Sequence, residues 1–229
     1  MTAVRRSSLQ FPGLFFVIVG CCAASGAATA KVAAQVYAYA DIPPRVLLKA
    51  EEQASRIFET ADVQLTWANC HAFKKGEDTI TTCEPASDAF RAIVKILPET
   101  HVGPLHRPTK ELGFTIPGTS FLFFDRVHQA SAFLDIFAVL GYVMAHELGH
   151  QLGLHHSPGV MSATISRDWL LRAEHGKLTF TPAQAREIQG HLQLNTRRDK
   201  SDTRRQSTRM GPRSSCSAAH TDCESEESA

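Results

Sequence analysis

The sequence lacks a long hydrophobic run, an excess of either charge and any internal repeat. Its N-terminal apolar stretch is shorter than the roughly 20 residues of a membrane-spanning helix, so we expect no transmembrane helix in the mature chain. Lysine and arginine number 24 and aspartate and glutamate 23, a balance that argues against bulk electrostatic binding to nucleic acid. No C-x-x-C pair occurs among the six cysteines, so a four-cysteine zinc site is not supported.

Residues 1–30 have the pattern of an export signal. Two arginines precede an apolar stretch and small residues, which end in the A-x-A sequence of Ala28-Thr29-Ala30. We therefore expect a mature chain that begins at Lys31 and is secreted or extracytoplasmic. The sequence that ends at Cys21 also resembles a bacterial lipobox, so a lipid anchor on Cys21 is the alternative.

The rest of the chain divides by composition into a folded region and a charged tail. Residues 31–195 are enough for one domain with a buried core. Residues 196–229 contain clustered arginines, then glutamates, and almost no large apolar side chains, which predicts disorder. The predicted organisation is a signal peptide over 1–30, a domain over 31–195 and a disordered charged tail over 196–229, in a monomer.

One segment of the domain carries the pattern of a metal site. The run from His146 to His156 reads H-E-L-G-H-Q-L-G-L-H-H, which contains H-E-x-x-H and the extension H-x-x-G-x-x-H. Residues four apart share one face of a helix, so His146 and His150 can bind the same ion. Glu147 then lies beside the metal, where it can take a proton from a bound water.

A third ligand has to return to the metal from beyond the end of this helix. Gly153 can adopt a left-handed conformation at little cost, so it can end the helix and turn the chain. His156 lies just past that turn, and the adjacent His155 competes with it for the third position.

The segment from His146 to Ser157 resembles the zinc-binding signature of the metzincin metalloproteases, and among them the matrixins, which also have serine after the third histidine. Metzincins carry a methionine in a tight turn beneath the metal, and the family spacing favours His156 over His155. The resemblance implies one catalytic Zn²⁺. Its implied ligands are His146, His150 and His156, its general base is Glu147, and its structural supports are Gly153 and Met161.

The sequence departs from the matrixins after Met161. Ser162 stands where the matrixin turn usually continues with proline, and no tyrosine lies close behind it. The resemblance is therefore to a metzincin with a matrixin-like signature and a short Met-turn.

The remaining periodicity predicts the fold. Strands are predicted over 35–39, 63–67, 90–97, 114–116 and 120–124, and helices over 43–60, 132–152 and 181–194. This order is typical of an α/β (α+β) fold with a twisted sheet. The resemblance implies one metzincin-like catalytic domain: a twisted mixed sheet packed on two long helices, an active-site helix, a Met-turn and a C-terminal helix. By likeness of position, Ser120–Phe124 is the candidate edge strand for binding extended peptide, with a buried central strand as the alternative.

Four cysteines remain once an export signal is removed. Cys70 and Cys83 flank a polar loop, so a disulfide between them is expected outside the cytosol. Cys216 and Cys223 are a second candidate pair, in the tail.

The sequence predicts a secreted zinc metallopeptidase, a metalloendopeptidase that acts on a protein or peptide substrate. Zinc polarises the scissile carbonyl and a water, and Glu147 moves a proton from the water to the leaving amine. Two alternatives stay open: a non-catalytic zinc-binding metzincin scaffold, and a zinc hydrolase of non-peptide amides. The intact Glu147 argues against the scaffold, because a binding module has no use for the base.

Overall fold

The computed structural model describes residues 29–70, 83, 89–101, 108 and 110–209, with no side-chain description for 196–209. The strands are β1 (Ala30–Ala38), β2 (Val63–Cys70), β3 (Phe90–Leu97), β4 (Gly113–Ile116) and β5 (Thr119–Phe123). The helices are α1 (Pro44–Glu59), α2 (Phe124–Ala130), α3 (Ile136–Gln151), α4 (Arg167–Glu174) and α5 (Pro182–Arg209), with 3-10 turns at Glu99–His101 and Gly159–Met161. Most of the predicted signal peptide, the Cys21 lipid site and the Cys216–Cys223 pair lie outside the described residues.

The five strands form one twisted mixed sheet in the order β2-β1-β3-β5-β4. All neighbouring strands are parallel except β4 and β5, which are antiparallel. Of the two alternatives for Ser120–Phe124, the edge strand is wrong and the central strand is correct, because β5 lies between β3 and β4. The two-residue turn at Pro117 and Gly118, where Gly118 has φ of +79°, folds β4 back along β5, so β4 takes the edge.

The two long helices α1 and α3 pack against each other and lie with the sheet around the main core. α1 is amphipathic, and its buried side includes Ala54, Ile57 and Phe58. α3 is buried around most of its circumference, from Ala138 to Gln151. A helix that is apolar on all sides is a core element. Packing on all sides therefore fixes the backbone of α3, and with it the positions of the polar residues that the helix carries.

The predicted helix over 132–152 is shorter in the structure and has a separate helix before it. α2 follows β5 directly, and residues 131–135 form a turn before α3 begins. The hydroxyl of Ser131 donates to the carbonyl of His128 at 2.9 Å, a local bond that competes with helix continuation.

The segment after α3 contains one helix that the sequence did not predict and one that is longer than predicted. In α4 the Ser166 hydroxyl caps the first turn by accepting from Trp169 N at 3.1 Å. α5 runs to Arg209, so residues 196–209, predicted as the start of a disordered tail, are helical. Arginine, lysine and glutamine favour helix, and after Gly190 the next helix breakers are Gly211 and Pro212.

A disulfide joins Cys70, at the end of β2, to Cys83. In the described part of the chain, no helix is both long enough and apolar enough to span a membrane.

Candidate metal centre

Three imidazoles converge where the upper region (residues 30–152) meets the lower segment (residues 154–195). His150 Nε2 lies 3.1 Å from His146 Nε2 and 3.2 Å from His156 Nε2. The ligand atoms of these three residues, which are the predicted ones, all lie within 4.8 Å of one another, a spacing at which they can hold one metal ion. His155, the competing candidate, is not part of this group among the described residues.

The Nδ1 atoms of the two helical histidines, His146 and His150, form hydrogen bonds with backbone carbonyls. His146 Nδ1 donates to Val160 O at 2.8 Å, and His150 Nδ1 donates to Leu154 O at 2.8 Å. With the proton on Nδ1, the lone pair of each ring is on Nε2, which faces the centre. Such a hydrogen bond fixes ring orientation in metal sites, so the donor set fits a metal such as zinc.

Burial gives the two helical rings the charge state that a metal ligand needs. The pKa of His146 is lowered to about 4, mainly by burial; the hydrogen bond to Val160 opposes this shift, and the nearby His150 and His156 add to it. Burial also lowers the pKa of His150. Both rings are therefore neutral at pH 7 and offer a lone pair to a cation.

Gly153 ends α3 and sends the chain back toward the centre. Its φ is +88°, in the left-handed region, and its N–H donates to His150 O at 3.1 Å. Leu154 N donates to Gly149 O at 3.0 Å, and the two bonds together form a Schellman motif. The conformation that the sequence predicted for Gly153 is thus the one that brings residues 154–156 under the helix.

Met161 lies in the 3-10 turn Gly159–Met161 and is completely buried. A Cβ on Gly149 would lie 2.6 Å from Met161 Sδ, so the missing side chain at Gly149 lets the sulfur pack against α3 one residue before His150. Met161 O also accepts from Ser157 N at 2.9 Å, which closes the loop that contains His156.

Two side chains outside the signature hold this loop in place. Trp169 Nε1 donates to Gly159 O at 3.1 Å. Gln184 Nε2 donates to Ser157 Oγ at 2.7 Å and to Pro158 O at 3.1 Å. Gln184 is buried, and its Oε1 accepts from Thr181 N at 2.8 Å in a capping box at the start of α5. Gln184 was not predicted from the sequence, although T-x-x-Q at residues 181–184 is a readable capping signal.

Glu147 is buried in the side of the site that faces β4, with 4 % of its surface exposed. Thr115 Oγ1 donates to Glu147 Oε2 at 2.7 Å. A Cβ at Gly113 would lie 3.0 Å from Glu147 Oε1, so a side chain at this position would crowd the carboxylate. No motif in the sequence pointed to Gly113 or Thr115, because they are 32 or more residues away from Glu147 along the chain.

An open cavity of about 840 Å³ contains the three histidines and Glu147. One wall is the edge strand β4 with the turn at Pro117 and Gly118. The opposite wall includes residues 162–165 and Trp169 of the lower segment. A three-imidazole centre beside a carboxylate, in a cleft bordered by an edge strand, has the groups needed for metal-assisted hydrolysis.

The fold and site define a mixed α/β protein with a three-histidine centre that can hold a metal ion. Two solved structures are similar to this chain at low identity. Archaemetzincin from Methanopyrus kandleri is 19% identical over 72% of this chain and 97% of that chain, with a TM-score of 0.43. A zinc-dependent peptidase from Methanocorpusculum labreanum is 15% identical over 68% of this chain and 99% of that chain, with a TM-score of 0.47. No family model and no curated protein matches the chain.

Proposed function

We propose that this protein is a zinc-dependent peptidase of the metzincin type, in which Glu147 is the general base. The observation that carries the proposal is the convergence of the His146, His150 and His156 Nε2 atoms beside the buried Glu147. The extended signature, with Gly153 at the helix end and Met161 packed beneath α3, supports the metzincin class.

His146, His150 and His156 are the proposed zinc ligands, through their Nε2 atoms. A zinc ion bound there supplies Lewis acidity to a water and to a substrate carbonyl. The chain itself supplies the proton transfers: Glu147 accepts a proton from the attacking water and donates it to the leaving amine. The carboxylate is suited to this role because Thr115 and Gly113 restrict its position on two sides.

We propose that the substrate is an extended peptide that pairs with β4. One side of β4 pairs with β5, and the other is the edge of the sheet that borders the cavity. The backbone N–H and C=O groups at a sheet edge can pair with an additional strand. Such pairing would place a substrate peptide bond across the site through main-chain hydrogen bonds, whatever the side chains of the substrate. The open cleft supports cleavage within a chain, and we therefore propose an endopeptidase.

We also propose that the protein acts outside the cytosol. The disulfide between Cys70 and Cys83 supports this location, since disulfides persist in oxidising compartments. The signal-like composition of residues 1–30 supports the same location, with lipid attachment at Cys21 as its variant.

The test combines metal analysis with digestion of a quenched-peptide library by the purified protein. We expect about one zinc per chain, and hydrolysis that a chelator abolishes and added zinc restores. Glu147→Ala should keep its zinc and lose at least about 100-fold in kcat/KM, because the base is missing and the ligands remain. Glu147→Ala cleaving peptide at the wild-type rate would contradict the assigned role.

The same assay separates the alternatives. Zinc binding without turnover of any peptide or amide would indicate a non-catalytic scaffold. Turnover of small non-peptide amides alone would indicate a different hydrolase. Release of internal fragments, identified by mass spectrometry, distinguishes an endopeptidase from an exopeptidase.

A further inference from the structure

We propose that a chain of hydrogen bonds from Gln151 through Ser120 and Thr115 positions the Glu147 carboxylate. The inference rests on the proposed function, since it concerns the alignment of its general base. It assigns a role to three residues that do not bind the metal: Gln151 occupies a variable position of the H-E-x-x-H-x-x-G-x-x-H signature, and Thr115 and Ser120 lie outside it.

The chain is continuous from the core to the carboxylate. Gln151 Nε2 lies 2.6 Å from Ser120 Oγ, Ser120 Oγ lies 2.9 Å from Thr115 Oγ1, and Thr115 Oγ1 lies 2.7 Å from Glu147 Oε2. The residues come from α3, β5 and β4, so the bonds join the active-site helix to the edge of the sheet. Thr115 and Ser120 are register partners in the β4–β5 pair, which places their hydroxyls side by side.

The far end of the chain is fixed by a backbone acceptor. Gln151 Nε2 also donates to Ile93 O at 2.9 Å, on β3. A carbonyl can only accept, so this contact requires the amide nitrogen of Gln151 to face β3 and Ser120. Ser120 is completely buried and Gln151 nearly so, which leaves both groups little freedom to move.

The amide donor at one end of the chain and the carboxylate acceptor at the other together set the direction of the bonds between them. Ser120 Oγ accepts from Gln151 and therefore has its own hydrogen to donate to Thr115 Oγ1. Thr115 then donates its single hydroxyl hydrogen to Glu147, whose Oε2 at 2.7 Å is closer than the Glu147 carbonyl at 3.0 Å. The opposite direction would leave two oxygens 2.7 Å apart without a hydrogen between them, which is unfavourable.

The chain acts on a side chain that would otherwise have rotational freedom. A glutamate has three rotatable bonds, and its backbone position in α3 does not determine where its carboxylate lies. Thr115 holds Oε2, and the absence of a Cβ at Gly113 opens the space that Oε1 occupies. Misplacement of a catalytic group by about 1 Å can lower the rate about 100-fold. A carboxylate held in one position therefore raises kcat.

The kinetic test removes one hydroxyl and keeps the shape of the side chain. Thr115→Val should lower kcat by about 10- to 100-fold with KM within about two-fold, because the backbone of β4 is unchanged. Thr115→Ser restores a hydroxyl and should return kcat to within about three-fold of wild type. Ser120→Ala should lower kcat less than Thr115→Val, and it should add almost nothing in the Thr115→Val background, because it acts through Thr115.

Thr119→Val is the matched control. It makes the same chemical change in the same hairpin, but Thr119 precedes Ser120 in β5, so its side chain projects from the opposite face of the sheet. Its kcat should stay within about two-fold of wild type. Unchanged kcat in Thr115→Val, or equal losses in Thr115→Val and Thr119→Val, would overturn the inference.

A second measurement does not need turnover. In urea unfolding at one buffered zinc concentration, Thr115→Val should raise the unfolding equilibrium constant about 10-fold. In the Glu147→Ala background the same change should raise it less than about three-fold, since the carboxylate acceptor is gone and only the more distant backbone carbonyl of that position remains. An equal effect in both backgrounds would overturn the hydrogen-bond chain. If the wild type hydrolyses no peptide but this coupling is present, the proposed function fails and the chain remains as a structural device.

Discussion

The upper region and the lower segment each contribute ligands to the metal centre, and these ligands are held in position by different interactions. His146 and His150 belong to α3, which the core of the upper region surrounds. His156 belongs to a loop of the lower segment and is exposed. Its loop is held by side-chain bonds to backbone and hydroxyl groups, from Trp169 and Gln184.

The two regions differ in the interaction that holds the ligands: hydrophobic burial in the upper region and hydrogen bonds in the lower segment. Burial of α3 is non-directional and spread over many side chains, so the loss of one contact leaves the other ligands where they are. The loop is held by a few directional bonds, and the loss of one of them changes the position of a single ligand. We therefore expect perturbations of the lower segment to change metal binding more than folding, and perturbations of the upper region to do the reverse.

The largest effect on zinc binding is expected from a substitution of His156, the ligand in the loop. His156→Ala should reduce bound zinc from about one per chain to near zero after dialysis, because two imidazoles form a much weaker site than three. The free energy of unfolding of the zinc-free protein should change little, since His156 is exposed. Metal analysis and urea unfolding of the same samples measure the two quantities.

His155→Ala is the matched control for that variant. The two histidines are neighbours in sequence, but His155 is not in the three-histidine group. It should keep its zinc. Loss of zinc in His155→Ala with retention in His156→Ala would reverse the ligand assignment.

A smaller effect is expected from the side chain that anchors the loop. Gln184→Ala removes the bonds to Ser157 Oγ and Pro158 O and should weaken zinc affinity by about 10- to 100-fold, as the loss of outer partners of a metal site does. Competition with a zinc chelator of known affinity measures the change.

Gln189→Ala provides a close comparison for that measurement. Gln189 lies on the same helix and also donates to backbone carbonyls, those of Ala61 and Asp62 at 2.7 and 3.0 Å, but in the upper region. It should lower stability by about 1 kcal/mol and leave zinc affinity unchanged. Equal losses of zinc affinity in the two glutamine variants would remove the distinction between the regions.

The smallest effect on zinc binding is expected from a buried acid in the upper region. Burial raises the pKa of Glu51 from 4.5 to about 7, against a hydrogen bond from Asn69, and Glu51 Oε1 lacks a hydrogen-bond partner among the described residues. The folded state thus loses stability as the pH rises from 4.5 through about 7, where the buried carboxyl must ionise.

Glu51→Gln resembles the protonated form at every pH. At pH 8 its free energy of unfolding should exceed that of wild type by about 2 kcal/mol, and the difference should disappear at and below pH 4.5. Zinc affinity at pH 8 should be the same in both proteins. A stability difference that does not depend on pH would show that the pKa of Glu51 is the same in the folded and unfolded states.

The sequence allowed prediction of those parts of the fold whose signal is local. Amphipathic spacing located α1, and the H-E-x-x-H run located the functional half of α3. The short helices α2 and α4 were missed, because seven- and eight-residue helices give little periodicity. The edge position of β4 was missed as well, since strand order depends on pairing across the sheet and not on the composition of either strand.

The site residues, too, fall into those that the sequence predicted and those that it did not. The three convergent histidines lie within one short run, so their spacing could be read from the sequence. Thr115 reaches Glu147 across 32 residues, and only the pairing of β4 with β5 brings it there. Gln184 is an intermediate example, because its capping signal was readable but its bond to the loop after His156 was not.

The short span of the three nitrogens also affects how zinc and folding are coupled. Only eleven residues, from His146 to His156, carry the whole donor set, so an unfolded chain can bring two or three imidazoles together at a small loop-closure cost. A metal that binds both states stabilises the folded one only by the ratio of its two affinities. The melting temperature should therefore rise less with zinc than the affinity of the folded protein alone would imply, and excess zinc should slow refolding by holding the histidines in non-native arrangements.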